Sequence, residues 1–221
     1  MGSYGMLVKI FLLFISLCSP LIAGVNILGK VVWGDNQKGI ADAVVWVEIE
    51  NHQPRRKPKI EKMVQKGKEF HPRVLVAPVN TEVFFPNEDP IFHNIFSFNK
   101  VKKLDLGNYK GEGKPVIFEA PGVYPIGCSI HPWMSAYILI VSSPFFAKSS
   151  SSGSFVLKDL KEGTYTLNLW SADLLENQRK ELVLKDGMNQ LEWTLPEDLF
   201  KRKKKKRKKR KKRKKKSYDG Y

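Results

Sequence analysis

The chain has 221 residues, room for one or two small domains, and its 42% apolar and 11% aromatic content supports a packed core, which excludes a wholly disordered chain. The formal net charge of +16 is local: residues 201–216, KRKKKKRKKRKKRKKK, are sixteen consecutive basic residues, and removing them from 38 Lys+Arg leaves 22 against 22 Asp+Glu. The basicity is therefore a property of the tail, and the rest of the chain is electrically balanced.

The N-terminus, MGSYGMLVKIFLLFISLCSPLIAG, reads as a secretory signal over residues 1–23. Lys9 gives a positive start, Ile10 to Cys18 form an apolar run too short to span a bilayer, and Pro20 breaks it. Cleavage is expected near Ala23, placing the protein in the periplasm or cell envelope; an uncleaved segment would act as a membrane anchor. Leu17 stands where a lipoprotein signal through Cys18 wants a small residue. Cleavage would leave Cys128 as the one cysteine, which excludes an internal disulfide. A lone thiol in an oxidising compartment is a liability unless a metal holds it.

The mature chain reads as all-β. VNILGKVVW (25–33) and AVVWVEI (43–49) are rich in β-branched and aromatic residues and flank a turn cluster beginning GDNQKG. HQPRRKPK (52–59) is a polar connector. RVLVAPVNTEVFFP (73–86) gives two strands, KPVIFEAPGVYPIGCSI a pair around the Pro121-Gly122 turn, and AYILIVSS (136–143) another strand. After the loop AKSSSSGS come four short strands, SFVLKDL, TYTLNLW, KELVLKD and QLEWTL. Asp159–Glu162 and Ala172–Gln178 are the only places where a helical turn is expected. Short strands with frequent turn signals predict β-sandwiches.

ILGKVVWGDNQKGIADAVVWV resembles the opening of the carboxypeptidase regulatory-like (transthyretin-like) β-sandwich, and GSFVLKDLKEGTYTLNL (153–169) resembles its second half. Neither part has enough strands to close a sandwich. The expectation is a split module, 25–50 with 146–196, interrupted by a second domain at 58–144, with a disordered polybasic tail at 197–221. The alternative is two consecutive domains.

Chemistry concentrates in GCSIHPWM (127–134), where Cys128, His131 and Met134 form C-x2-H-x2-M. A tight loop after a strand can turn all three inward. His93, in the NEDPIFHNIFSF loop after EVFFP, offers a second imidazole. A thiolate and two imidazoles in a plane, with a weak thioether above, is the blue-copper donor set. Zinc sites use Cys, His and carboxylates, not Met. Taken singly, Cys128 and Met134 also suit an ordinary core.

Residues 69–141 resemble a cupredoxin of the plastocyanin/amicyanin type. The resemblance rests on His93-Asn94, on Tyr124 shortly before Cys128, on the compressed Cys128–His131–Met134 loop and on Pro132 after the histidine. The wider pattern resembles exported bacterial proteins labelled methylamine utilization proteins. The resemblance implies a Greek-key β-sandwich holding one type 1 copper, with His93, Cys128 and His131 equatorial and Met134 axial. It also implies that Asn94 ties the ligand loops together, and that Trp133 contacts a redox partner protein in an apolar patch around His131. Ile130 departs from it, standing where such loops usually place proline before the histidine.

His71 and His52 read as an edge residue and a solvated connector residue. Glu88 and Asp89 are adjacent and so point to opposite faces of an extended strand, which disfavours an acid–base pair; Asp89-Pro90 is expected to shape its loop. The sequence carries no nucleophile triad, P-loop or dinucleotide fingerprint, so the expected function is one-electron transfer, not enzymatic catalysis. Copper trafficking in the envelope, or a binding module with a structural metal, are the alternatives. Residues 201–216 offer charge without an apolar face. For an exported chain they suggest an anionic membrane or envelope polymer, and make nucleic acid an unlikely partner.

Overall fold

The computed structural model describes residues 24–34, 37–49 and 59–199, which form eighteen strands. The expected signal segment and the basic run 201–216 lie outside the described residues. Three strands precede residue 50: β1 (Val25–Trp33), β2 (Lys38–Gly39) and β3 (Val44–Val47). Ten occupy 60–141: β4 (Ile60–Lys62), β5 (Val64–Lys66), β6 (Glu69–His71), β7 (Val74–Pro78), β8 (Thr81–Phe84), β9 (His93–Phe98), β10 (Lys103–Tyr109), β11 (Pro115–Phe118), β12 (Gly122–Gly127) and β13 (Ser135–Val141). Five follow: β14 (Phe146–Lys148), β15 (Ser154–Leu160), β16 (Gly163–Trp170), β17 (Gln178–Leu184) and β18 (Met188–Leu195).

Sheet membership divides these strands into an outer and an inner set. In the outer set, β1 lies between β15 and β18 with β2 on its end, and the facing sheet runs β14-β3-β16-β17. β1 shows why: Val25, Ile27 and Val31 point inward while Leu28 and Lys30 do not, the period-two pattern of a strand with one buried face. Between the sheets sits an apolar core that includes Ile27, Val45, Leu157, Leu167, Leu169 and Trp193.

In the inner set, one sheet runs β10-β9-β12-β13-β7 and the other β11-β8-β4, flanked by the β5–β6 hairpin. Its core includes Met63, Phe85, Phe118, Tyr124 and Ile138, with Phe118 and Tyr124 edge to face at 4.9 Å. Full burial of such side chains is worth about 1.5–3 kcal/mol each. A smaller apolar layer, Val44, Val74, Leu139, Val141 and Trp170, joins the outer face of β3–β16 to that of β7–β13. Tyr137 meets Trp170 edge to face there at 5.2 Å, and Lys148 Nζ donates to the Val74 carbonyl at 3.0 Å.

The all-β sandwich expectation agrees with this architecture. Two local expectations need correction. Asp159 and Leu160 belong to β15, and Ala172–Gln178 opens with a turn closed by Leu174 N to Ser171 O and runs into β17, so neither segment is helical. The two strands expected around Pro121-Gly122 form as β11 and β12, each joined to other strands: β11 to β8, and β12 to β9 and β13. His93 opens β9; it is not a loop residue.

Candidate metal centre

The candidate ligands gather where three inner strands end together. His93 begins β9, Cys128 directly follows β12, and Met134 directly precedes β13. The intervening loop is closed by Met134 N donating to His131 O at 2.9 Å. Gly127 lies opposite Phe96 on β9, and a Cβ there would sit 2.8 Å from the Phe96 ring, so glycine lets the ring cover the strand just before Cys128.

His93 Nδ1 is 3.0 Å from His131 Nδ1, and Cys128 Sγ is 3.9 Å from each. A triangle with sides 3.0, 3.9 and 3.9 Å has a circumradius of about 2.1 Å, inside the roughly 2.0–2.3 Å range of metal bonds to imidazole and thiolate. One ion could therefore be held by all three donors, the thiolate and two imidazoles that suit copper. No other group of three such donors forms among the described residues. His93 is fully buried and Cys128 is 1% exposed, so the donors are dry on the protein side. Loss of hydration, reinforced by the neighbouring His93 and Lys68 and opposed by Asp89, pushes His131 below the ordinary histidine range and favours the neutral ring a metal needs.

Met134 is buried in the same core as Cys128, and both line one surface groove with Pro132 and Phe96. Asn94 Oδ1 accepts from Ser129 N at 2.8 Å and Ser129 Oγ at 3.1 Å, tying β9 to the loop after Cys128. Trp133 is 65% exposed and stands edge to face with the His131 ring at 5.1 Å; Ile130 and Phe92, which directly precede His131 and His93 in sequence, are exposed as well. His71 ends β6 with an exposed side chain and is not among the three clustered donors.

Behind His93 lies a polar floor that the sequence reading missed. His93 Nε2 meets Asp89 Oδ2 at 2.8 Å. Asn87 holds the intervening loop: its Oδ1 accepts from Asp89 N, and its Nδ2 donates to Ile91 O and Tyr109 O. The Tyr109 hydroxyl donates to Phe85 O and accepts from Gln65 Nε2; burial pushes it up to about 12, so it stays protonated. Burial acts to raise the Asp89 carboxyl, but hydrogen bonds from Lys68 N, His93 and Gly67 N outweigh it and leave Asp89 below the ordinary carboxylate range. The available signal was D-x-x-x-H at 89–93, which gains meaning only once the loop folds back.

No protein-family model matches the chain, and no curated protein matches it in sequence. Among solved structures, a copper-containing nitrite reductase from Thermus scotoductus SA-01 is 26% identical over 44% of this chain and 25% of its own, with a TM-score of 0.36. The alignment thus spans a quarter of that enzyme. A purple cupredoxin from Nitrosopumilus maritimus is 28% identical over 37% of this chain and 99% of its own (TM-score 0.32), and a reduced variant of amicyanin is 16% identical over 44% and 98% (TM-score 0.35).

Proposed function

We propose that the protein is a mononuclear type 1 copper protein that carries single electrons. The observation that supports this most is the spacing of the His93, His131 and Cys128 donors, which lets one small ion reach all three. A bound copper would supply a one-electron couple between Cu(I) and Cu(II). The residues around it do the rest. Cys128 would offer the soft donor that favours Cu(I), the imidazoles would suit either state, and Met134 would add a weak thioether donor. His93 and Cys128, buried and braced by Asn94 and Asp89, resist rearrangement between the two states. His131 is the half-buried donor, so it and the exposed Trp133 form the edge through which a redox partner would exchange electrons.

On the same reading, 25–50 and 146–196 form a split carboxypeptidase regulatory-like sandwich around a cupredoxin domain at 58–144. The pairing of β1 with β15 and β18, and of β3 with β14 and β16, supports that division. The protein would be exported through residues 1–23, and residues 201–216 would tether it to an anionic membrane or envelope surface.

Voltammetry of the copper-loaded chain tests electron transfer. Reversible one-electron cycling without loss of metal is expected. Tight Cu(I) binding with no reversible oxidation would instead mark a copper-trafficking protein. Truncation after Leu199 is expected to release the protein from anionic vesicles at low salt, and unchanged binding would refute the tether.

A further inference from the structure

The carboxylate behind His93 is held more firmly than a loop-shaping residue requires. β5 and β6 are joined by the two residues Gly67 and Lys68, both left-handed at φ 63° and 59°, with Lys66 paired to Glu69. Two successive positive-φ residues make the hairpin turn whose twist matches its strands. Lys68 adopts a conformation uncommon for a residue with a side chain. The turn directs two successive backbone N–H groups at Asp89: Gly67 N donates to Oδ1 at 2.6 Å and Lys68 N to Oδ2 at 2.8 Å. Asn87 fixes the Asp89 backbone from the other side. The remaining direction of Oδ2 is taken by His93 Nε2, and the Asp89 side chain is 10% exposed.

An imidazole facing an ionised carboxylate through Nε2 keeps its proton there. Nδ1 is then left with its lone pair, and Nδ1 is the atom that faces Cys128 and His131. We propose that Asp89 is a positioning residue for the metal centre, anchored by the β5–β6 turn, which fixes His93 as an Nδ1 donor and, through its negative charge, favours the more positive oxidised state of the bound copper. This rests on the copper reading above. It assigns the hairpin a role in tuning the reduction potential from outside the ligand set.

The test compares the full chain with Asp89→Asn, which keeps the shape and removes the charge, and with Glu88→Gln, which removes a neighbouring charge from an exposed pair with Lys66. In the copper-free parent, long-range nitrogen–proton spectra are expected to show His93 protonated at Nε2; a proton on Nδ1 overturns the positioning role. In the loaded proteins, Asp89→Asn is expected to keep the Cys128-to-copper absorption but lose about 10–100-fold in Cu(II) affinity, with a smaller loss for Cu(I) and so a raised potential. Glu88→Gln is expected to shift the potential far less. Equal losses for both oxidation states, or an unmoved potential, overturn the tuning role. If the parent itself lacks that absorption, the copper reading fails, while the metal-free spectra still decide the His93 assignment.

Discussion

The two sandwiches are built from the same kinds of strand but treat polarity differently. The outer one packs an apolar core around Ile27, Leu167 and Trp193; its buried Ser149 closes a loop, accepting from Ala43 N and donating to Ile40 O, and its buried Asn168 alternates along β16 with the inward Leu167 and Leu169. The inner one has an equally apolar centre around Phe118 and Tyr124, yet at one end it buries Gln65, Asn87, His93 and Asn94 beside Cys128. Buried polar groups are costly unless paired, and these are concentrated behind three donors that could hold one ion. The difference teaches that the inner sandwich gives up apolar packing at one end around a cluster of three candidate donors, while among the described residues the outer one holds no such cluster.

The sharpest way to break this contrast is Cys128→Ser. It should abolish the intense absorption on copper addition while the metal-free chain still folds, as read by visible titration and circular dichroism. Leu167→Ala, at a fully buried position of the outer core, should do the reverse. It is expected to cost about 2–5 kcal/mol, seen as a lower urea midpoint, and to leave the copper spectrum of the folded protein unchanged. A loss of colour in proportion to stability would mean that the two regions are not separable in this way.

A finer probe lies between the sandwiches. A double-mutant cycle on Tyr137 and Trp170 should give a coupling of about 0.5–1.5 kcal/mol, the worth of an edge-to-face pair. Zero coupling would leave the two units joined by chain connectivity more than by packing. The smallest effect belongs to Glu88→Gln. Its ion pair with Lys66 is exposed on both sides and should leave the thermal midpoint unmoved.

Legibility followed the range of the interactions. Cys128, His131 and Met134 were readable because one loop carries them at fixed spacing. β1 matched its expected span, Val25–Trp33, because its alternation is local. β10 escaped notice because only one face is buried: Leu104 and Tyr109 point in among lysines and Asp105, and the pairing with β9 shifts register between Asp105 and Asn108. The parallel pairings of β1 with β18 and of β7 with β13 join strands far apart in sequence, so no local pattern announces them. Asp89 was read as a loop former, which it is, but its contact with His93 depends on the β5–β6 hairpin, and that short turn carried no weight in the strand reading.

The most direct test of the central claim is the visible and electron paramagnetic resonance spectrum of the Cu(II)-loaded chain. The account predicts an intense thiolate-to-copper absorption and the compressed copper hyperfine splitting of a trigonal site with a Cys128 ligand. A pale protein with an ordinary tetragonal Cu(II) signal would contradict it.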